Sequence, residues 1–297
     1  RTWVEVSRSQ IAENFRNVRQ AVGPGVEVLA VVKAGAYGHG AVEVSRIVAA
    51  SGARWLAVSD AEEGVLLRKA GIGTRILVMA EGLCFEREAL LEHQLTPVVH
   101  DLEDLAELER FAASRNARAP YHLKLDSGMG RLGTRTGGPE ILEAIGRCRH
   151  AELEGLMTHF ASSADYSSSQ TAEQIAAFQR VVEELGAAGV RPRWVHMSST
   201  NPVAYGRREA FGNMVRVGHA LYGYVSPAKG DAPKRTLDVQ PALSWRARVL
   251  AIKDLPAGAL VGYGGAYRTE RPTKIAVVAA GYADGVPRHL SDRGSAF

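Results

Sequence analysis

Cysteine is scarce in this chain: Cys84 and Cys148 are the only two among 297 residues. Thiols so few and so far apart supply neither a disulfide framework nor a zinc cluster, and they read as reduced, half-buried residues of a cytosolic protein. No metal site is expected. No apolar run approaches the ~20 residues that a membrane-spanning helix needs. Charge of one sign is also lacking, with Lys+Arg 36 against Asp+Glu 32 and a net charge of +4. Without a block of like charge or an interleaving of basic and aromatic residues, nucleic acid is not an expected partner. What is there, 46% hydrophobic and 23% charged residues, is ordinary for a soluble protein of one large domain or two modest ones. The chain begins at Arg1 rather than at methionine, which leaves room for a targeting segment upstream. It stops at Phe297 in what reads as the middle of a turn, so the expectation is a chain cut short at its C-terminal end.

Short runs rich in β-branched residues recur at 26–33, 54–59, 74–79, 95–100, 121–126, 153–159, 193–197 and 213–218. Between most of them lie helical patterns, at 41–51, 60–70, 101–113 and 169–188. In the last of these Ile175, Phe178, Val181, Val182 and Leu185 fall at helical spacing. Strands alternating with helices give an α/β protein, and eight such units fit a closed (β/α)8 barrel better than an open doubly wound sheet. Near Pro233 helical patterning gives way to strands at 242–252 and 274–280. The expected division is a barrel over 1–231, whose first few residues pair with the second domain, and a mostly β domain over 232–297 that is incomplete.

A barrel of this kind carries its chemistry at the C-terminal ends of its strands. Polar residues gather there: Lys33 ends the first strand, Lys124 and Asp126 the fifth, Thr158 and His159 the sixth. His196, Ser198, Ser199 and Thr200 end the seventh, and the eighth carries Arg216 before Gly218 and His219. Lys33 closes an apolar run and enters a loop with Gly35, Gly38 and Gly40. Burial there favours the neutral amine, the form that attacks an aldehyde. Position alone leaves open a lysine that only caps a strand and pairs with a carboxylate. The loops after strands seven and eight are a common phosphate site, and Ser198, Ser199, Thr200 and the backbone of Gly218 and His219 are suitable donors. A reactive lysine and a phosphate site together point to one cofactor, pyridoxal 5′-phosphate (PLP).

Five segments carry a resemblance. Val31-Val-Lys-Ala-Gly-Ala-Tyr-Gly-His-Gly is similar to the PLP-attachment motif of bacterial alanine racemases, which are barrel-fold PLP enzymes. Leu123-Lys-Leu-Asp-Ser-Gly-Met-Gly-Arg-Leu-Gly, Met157-Thr-His-Phe-Ala and Asn213-Met-Val-Arg-Val-Gly-His-Ala-Leu-Tyr-Gly resemble three further signatures of that family. Val261-Gly-Tyr-Gly with Gly281-Tyr-Ala-Asp-Gly resembles its two tyrosine motifs. Several motifs in the right order, spread over nearly the whole chain, make the likeness specific.

The resemblance implies a cytoplasmic homodimer that interconverts L- and D-alanine for peptidoglycan synthesis. It implies that Lys33 holds PLP and is one of two acid/base groups, with Tyr263 of a partner subunit the other, on the opposite face of the substrate. Arg216 is then placed beside the pyridine nitrogen, and Tyr37, Ser199, Thr200, Gly218 and His219 around the phosphate. His159 orients Tyr263 and Arg216, while Arg131 meets the cofactor oxygen or the substrate carboxylate. Lys124 is similar to a lysine that the family carbamylates to position this arginine, and Tyr282 lines the substrate entrance. Proton removal on one face and return on the other needs two such groups, each worth ~10²–10⁴-fold. An arginine at the pyridine nitrogen gives up no proton readily, which leaves PLP a weaker electron sink. Ser199 and Gly35 stand where the family usually has asparagine, and His219 where it has an aliphatic residue. Two other readings are a PLP-carrier barrel without catalysis, which lacks a second β domain, and a barrel decarboxylase, which places an acid where Arg216 stands. A racemase of broader specificity is a further alternative.

Overall fold

Short runs of Val, Leu and Ala that are buried on both faces can only be interior strands, and in this chain they become a ring. The computed structural model describes residues 1–80, 86–291 and 294–295, so Cys84 lies outside the described residues. Contacts divide the chain into two units, Ser7–Ala242 and Arg1–Val6 with Leu243–Phe297.

β1 (Thr2–Val6) belongs to the second unit. The first unit opens with α1 (Arg8–Val22), a helix absent from the patterns read above. Ser7 caps it by accepting the Gln10 N–H at 3.2 Å, and Ile11, Phe15, Val18 and Val22 form its buried stripe. β2 (Glu27–Val31), the short turn α2 (Lys33–Tyr37), α3 (Ala41–Ala50), β3 (Trp55–Val58) and α4 (Ala61–Lys69) follow. Then come β4 (Arg75–Val78), α5 (Arg87–Glu92), β5 (Thr96–Val99), α6 (Leu102–Ser114) and β6 (Ala119–Lys124). α7 (Gly138–Gly146), β7 (Ala151–Met157), α8 (Gln170–Ala187), β8 (Trp194–His196), α9 (Thr200–Ala204) and β9 (Met214–Val217) complete the unit.

These eight interior strands form one parallel sheet in the order β8-β7-β6-β5-β4-β3-β2-β9, which brings the ends of the sheet together. The seam between β8 and β9 is thin. Asn213 N–H donates to the Val195 carbonyl (3.0 Å) and Arg216 N–H to the Ser198 carbonyl (2.9 Å). This is a nearly closed (β/α)8 barrel. Alternate side chains fill its interior, among them Leu29, Val31, Trp55, Leu77, Met157 and Met214. Leu105, Leu123, Leu156 and Phe178 pack in the layer between strands and helices.

The second unit is mostly β, with short 3-10 turns at Tyr263–Gly265, Tyr282–Asp284 and Arg288–Leu290. β1 pairs antiparallel with β10 (Leu243–Ala247), β11 (Val249–Leu255) with β14 (Thr273–Val278), and β12 (Leu260–Val261) with β13 (Tyr267–Arg268). The run expected at 242–252 is therefore two strands, interrupted at Arg248. No helix among the described residues is long and apolar enough to cross a membrane.

Candidate active site

β2 stops at Val31, so Lys33 stands two residues beyond the strand rather than at its end. The backbone there turns left-handed, with φ of 51° at Ala34, 62° at Gly35, 56° at Ala36 and 54° at Tyr37. Residues with a Cβ lose roughly 1–2 kcal/mol each in that region, so the surroundings must hold the turn. They do so at both ends. Tyr222 Oη donates to the Val31 carbonyl at 2.9 Å, and its ring packs 4.9 Å from that of Tyr37. The Glu63 carboxylate accepts two backbone N–H groups, from Gly35 (3.2 Å) and from Ser59 (2.8 Å).

Tyr37 is thereby fixed against β9. A Cβ on Gly218 would stand 2.6 Å from Tyr37 Oη, so only glycine lets the hydroxyl reach the backbone there. Burial raises the Tyr37 pKa above its ordinary value, which keeps it a neutral donor. Thr200 and Ser199 stand at the start of the short α9, where the Thr200 hydroxyl accepts the Ala220 N–H at 3.2 Å. His219 is exposed and turns its ring to that of Tyr37, 5.4 Å away.

Arg216 is 3% exposed, and both its terminal nitrogens are consumed by the barrel. One donates to His196 Nδ1 and the His196 carbonyl, each at 3.0 Å. The other reaches the Thr158 carbonyl (2.6 Å), the Met197 carbonyl (3.2 Å) and His159 Nδ1 (3.2 Å). Nε–H takes part in none of these bonds. Since a guanidinium only donates, both histidines accept through Nδ1 and carry their proton on Nε2. Burial, then the Arg216 cation, holds His159 down to about 3 and His196 well below its ordinary value. Burial also lowers Arg216, to about 9, and it stays protonated at neutral pH.

Lys124 is 5% exposed. Burial first, then the cations of Arg131 and Arg216, lowers it to about 8 against the opposing pull of Asp126. Asp126 itself shapes a loop. Its Oδ1 accepts N–H groups from Gly128 (3.2 Å), Met129 (2.9 Å) and Gly130 (2.9 Å), and Oδ2 meets Arg135 Nε at 2.8 Å. Burial raises its pKa, but these bonds more than offset that and hold it at about 2. The loop they shape carries Arg131.

Lys33, Tyr37, Lys124, Arg131, His159, Ser199, Thr200, Arg216, Gly218 and His219 all line one cavity of about 630 Å³ at the C-terminal ends of the strands. That volume suits a cofactor with a small substrate. Tyr263 and Tyr282 belong to the β unit and do not line this cavity; they are 98% and 65% exposed. Two further residues escaped the sequence reading. Glu63 stands three residues after Asp60, the N-cap of α4, where a capping box would send its carboxylate back to the cap. It reaches Gly35 and Ser59 instead. His122 shares the inner face of β6 with Lys124, and alternation along that strand was the signal for it.

A family model for the N-terminal domain of alanine racemase matches residues 6–227, and one for its C-terminal domain matches residues 242–297. The chain belongs to the alanine racemase family. The alanine racemase of Halothermothrix orenii is 38% identical over 295 residues, which are 99% of this chain and 76% of that protein. The crystal structure of alanine racemase from Streptomyces lavendulae is 32% identical with a TM-score of 0.87, over 99% of this chain and 77% of that one. An alanine racemase structure from Bartonella henselae, 26% identical with a TM-score of 0.82, contains covalently bound pyridoxal phosphate and is matched over 97% of this chain and 78% of its own. The expected C-terminal β domain is present, since the C-terminal model matches residues 242–297.

Proposed function

We propose that this protein is a PLP-dependent alanine racemase that moves the Cα proton between a lysine on one face of the substrate and a tyrosine on the other. The observation that carries the reading is Arg216, whose terminal nitrogens are taken up by carbonyls and histidines while Nε–H is left over. A fixed cation donor suits a pyridine nitrogen that stays unprotonated, where a decarboxylase would present an acid. The rest of the cavity fits PLP as well. It offers an amine at Lys33, a neutral phenol at Tyr37 drawn against Gly218, and hydroxyls at Ser199 and Thr200 for a phosphate. PLP supplies the sink for the electron pair left at Cα.

In this reading Lys33 holds the cofactor and exchanges the proton on its own face. Tyr263 of a second copy serves the other face, and His159, bonded to Arg216 through Nδ1, turns its Nε2–H toward that tyrosine. Arg131 meets the substrate carboxylate, and Tyr282 of the second copy stands at the entrance. A neutral Lys124 amine adds carbon dioxide to give a carbamate and a proton. This replaces a third cation beside Arg131 and Arg216 with an anion that pairs with them. Its exposed apolar side chains, Leu250 at 58%, Ile252 at 62% and Leu260 at 67%, favour a homodimer through the β unit. The product is D-alanine for peptidoglycan, made in the cytoplasm.

Lys33→Ala is the test. The variant loses the visible absorbance of lysine-bound cofactor and all racemisation of L- and D-alanine. An unchanged spectrum would overturn the assignment.

A further inference from the structure

We propose that His122 is a positioning residue for Arg216, acting through His196. The proposal rests on Arg216 as the group that meets the cofactor ring.

His122 and His196 are both fully buried in the barrel interior, below the cavity, and neither lines it. His122 Nδ1 and His196 Nε2 are 2.9 Å apart, with ring centroids 5.0 Å apart and planes at 74°. The direction of this bond is set from above. Arg216 donates to His196 Nδ1, so the His196 proton lies on Nε2 and is donated to His122 Nδ1. The His122 proton then lies on Nε2, 3.9 Å from the Glu154 carboxylate. That separation is too long for a hydrogen bond, but it places a carboxylate at the positive end of the imidazole dipole. Glu154 is itself held by Arg75, whose second terminal nitrogen reaches it at 2.6 Å and whose guanidinium lies 4.0 Å over the Trp55 ring.

The result is a line of donors running one way, Arg216 to His196 to His122. Reversing the His196 tautomer would set an N–H against the guanidinium N–H and leave the His122 acceptor facing a bare nitrogen. His122 therefore accepts the Nε2–H that Arg216 imposes on His196, which pins the His196 ring and with it the plane of the Arg216 guanidinium. The charged groups facing the pair are Arg216, Arg75 and Glu154; burial and the two arginine cations hold His122 at about 3.

The barrel makes room for this ring in particular. His122 pairs with Gly155 across β6 and β7, and a Cβ there would lie 2.6 Å from its Cγ and Nδ1. Gly155 has no positive φ to explain it. The glycine is there for the imidazole.

Two experiments on the full chain decide the matter. Nitrogen-15 histidine spectra, recorded with and without PLP, show His122 and His196 as neutral Nε2–H tautomers from pH 6 to 9. A protonated or Nδ1–H His196 in that range overturns the proposal without touching the reading of Arg216. That reading is tested separately by Arg216→Gln, which changes the absorbance of the bound cofactor. In the second experiment His122→Leu lowers kcat in both directions by about tenfold with KM for alanine little changed, and the His196 Nε2 proton, left without its acceptor, moves upfield. His122→Asn, whose Oδ1 replaces Nδ1 as acceptor, restores both properties. A His122→Leu protein with wild-type kcat and an unshifted His196 Nε2 proton overturns the proposal, as does an Asn variant no better than Leu. Should His122→Leu fail to fold, Gly155→Ala displaces the ring and gives the same pair of readouts.

Discussion

The barrel and the β unit treat apolar residues in opposite ways. Strands β3 to β5 are buried from end to end apart from Arg75 at the start of β4, and the interior they enclose is complete within one chain. β11 is exposed along nearly its whole length although it reads Val-Leu-Ala-Ile. A β unit that leaves Leu250, Ile252 and Leu260 in water is unfinished as a surface, whereas the barrel is finished as a core. The proposed chemistry divides in the same way, with the lysine in the barrel and the tyrosine on the β unit.

Three experiments press on this contrast. The largest effect is expected from Tyr263→Phe, which lowers Cα–H exchange from one enantiomer of alanine by ~10²–10⁴-fold and from the other far less. Equal losses for both enantiomers in heavy water would remove the two-face mechanism. A smaller effect is expected from Ile252→Lys. By sedimentation the variant shifts toward monomer and loses roughly tenfold or more in kcat at low protein concentration, while PLP uptake at Lys33 is retained. A variant that remains dimeric would show that this face is covered by something else.

The smallest effect is on stability against pH. The native barrel keeps His122, His159 and His196 neutral well below the ordinary value of 6.5. The unfolded chain therefore binds more protons below about pH 6.5. Stability is fully present above that pH and falls as pH drops toward 3, by up to ~1.4 kcal/mol per pH unit for each histidine. The β unit has only the exposed His289 among its described residues. Fluorescence of Trp55 and Trp194 should report acid unfolding before that of Trp3 and Trp245; simultaneous loss would mean that the units unfold as one.

Much of this was legible in the sequence. Buried β-branched runs mark the barrel strands, and polar residues at their ends mark the cavity, because each strand places its last side chain on a common rim. Three features were less visible. The left-handed turn at 34–37 runs against the propensity of alanine and tyrosine, and tertiary bonds from Tyr222 and Glu63 hold it. α1 is marked only by the cap Ser7 and the stripe Ile11, Phe15 and Val18, ahead of the strand–helix alternation. His122 sits one layer below the rim, where a search confined to strand ends does not look. In the β unit the burial that would sharpen strand limits is missing, so nothing in the run 242–252 marks the break at Arg248.

Arg216 also has a mechanical part to play. Its backbone N–H is one of the few bonds across the seam between β8 and β9, and its side chain grips the carbonyls of His196 and Met197 on the far side. The residue that would face the cofactor is thus also a rivet of the hoop. A barrel open at that seam has no correctly aimed Nε–H, so competence for cofactor chemistry and closure of the ring arrive in a single step.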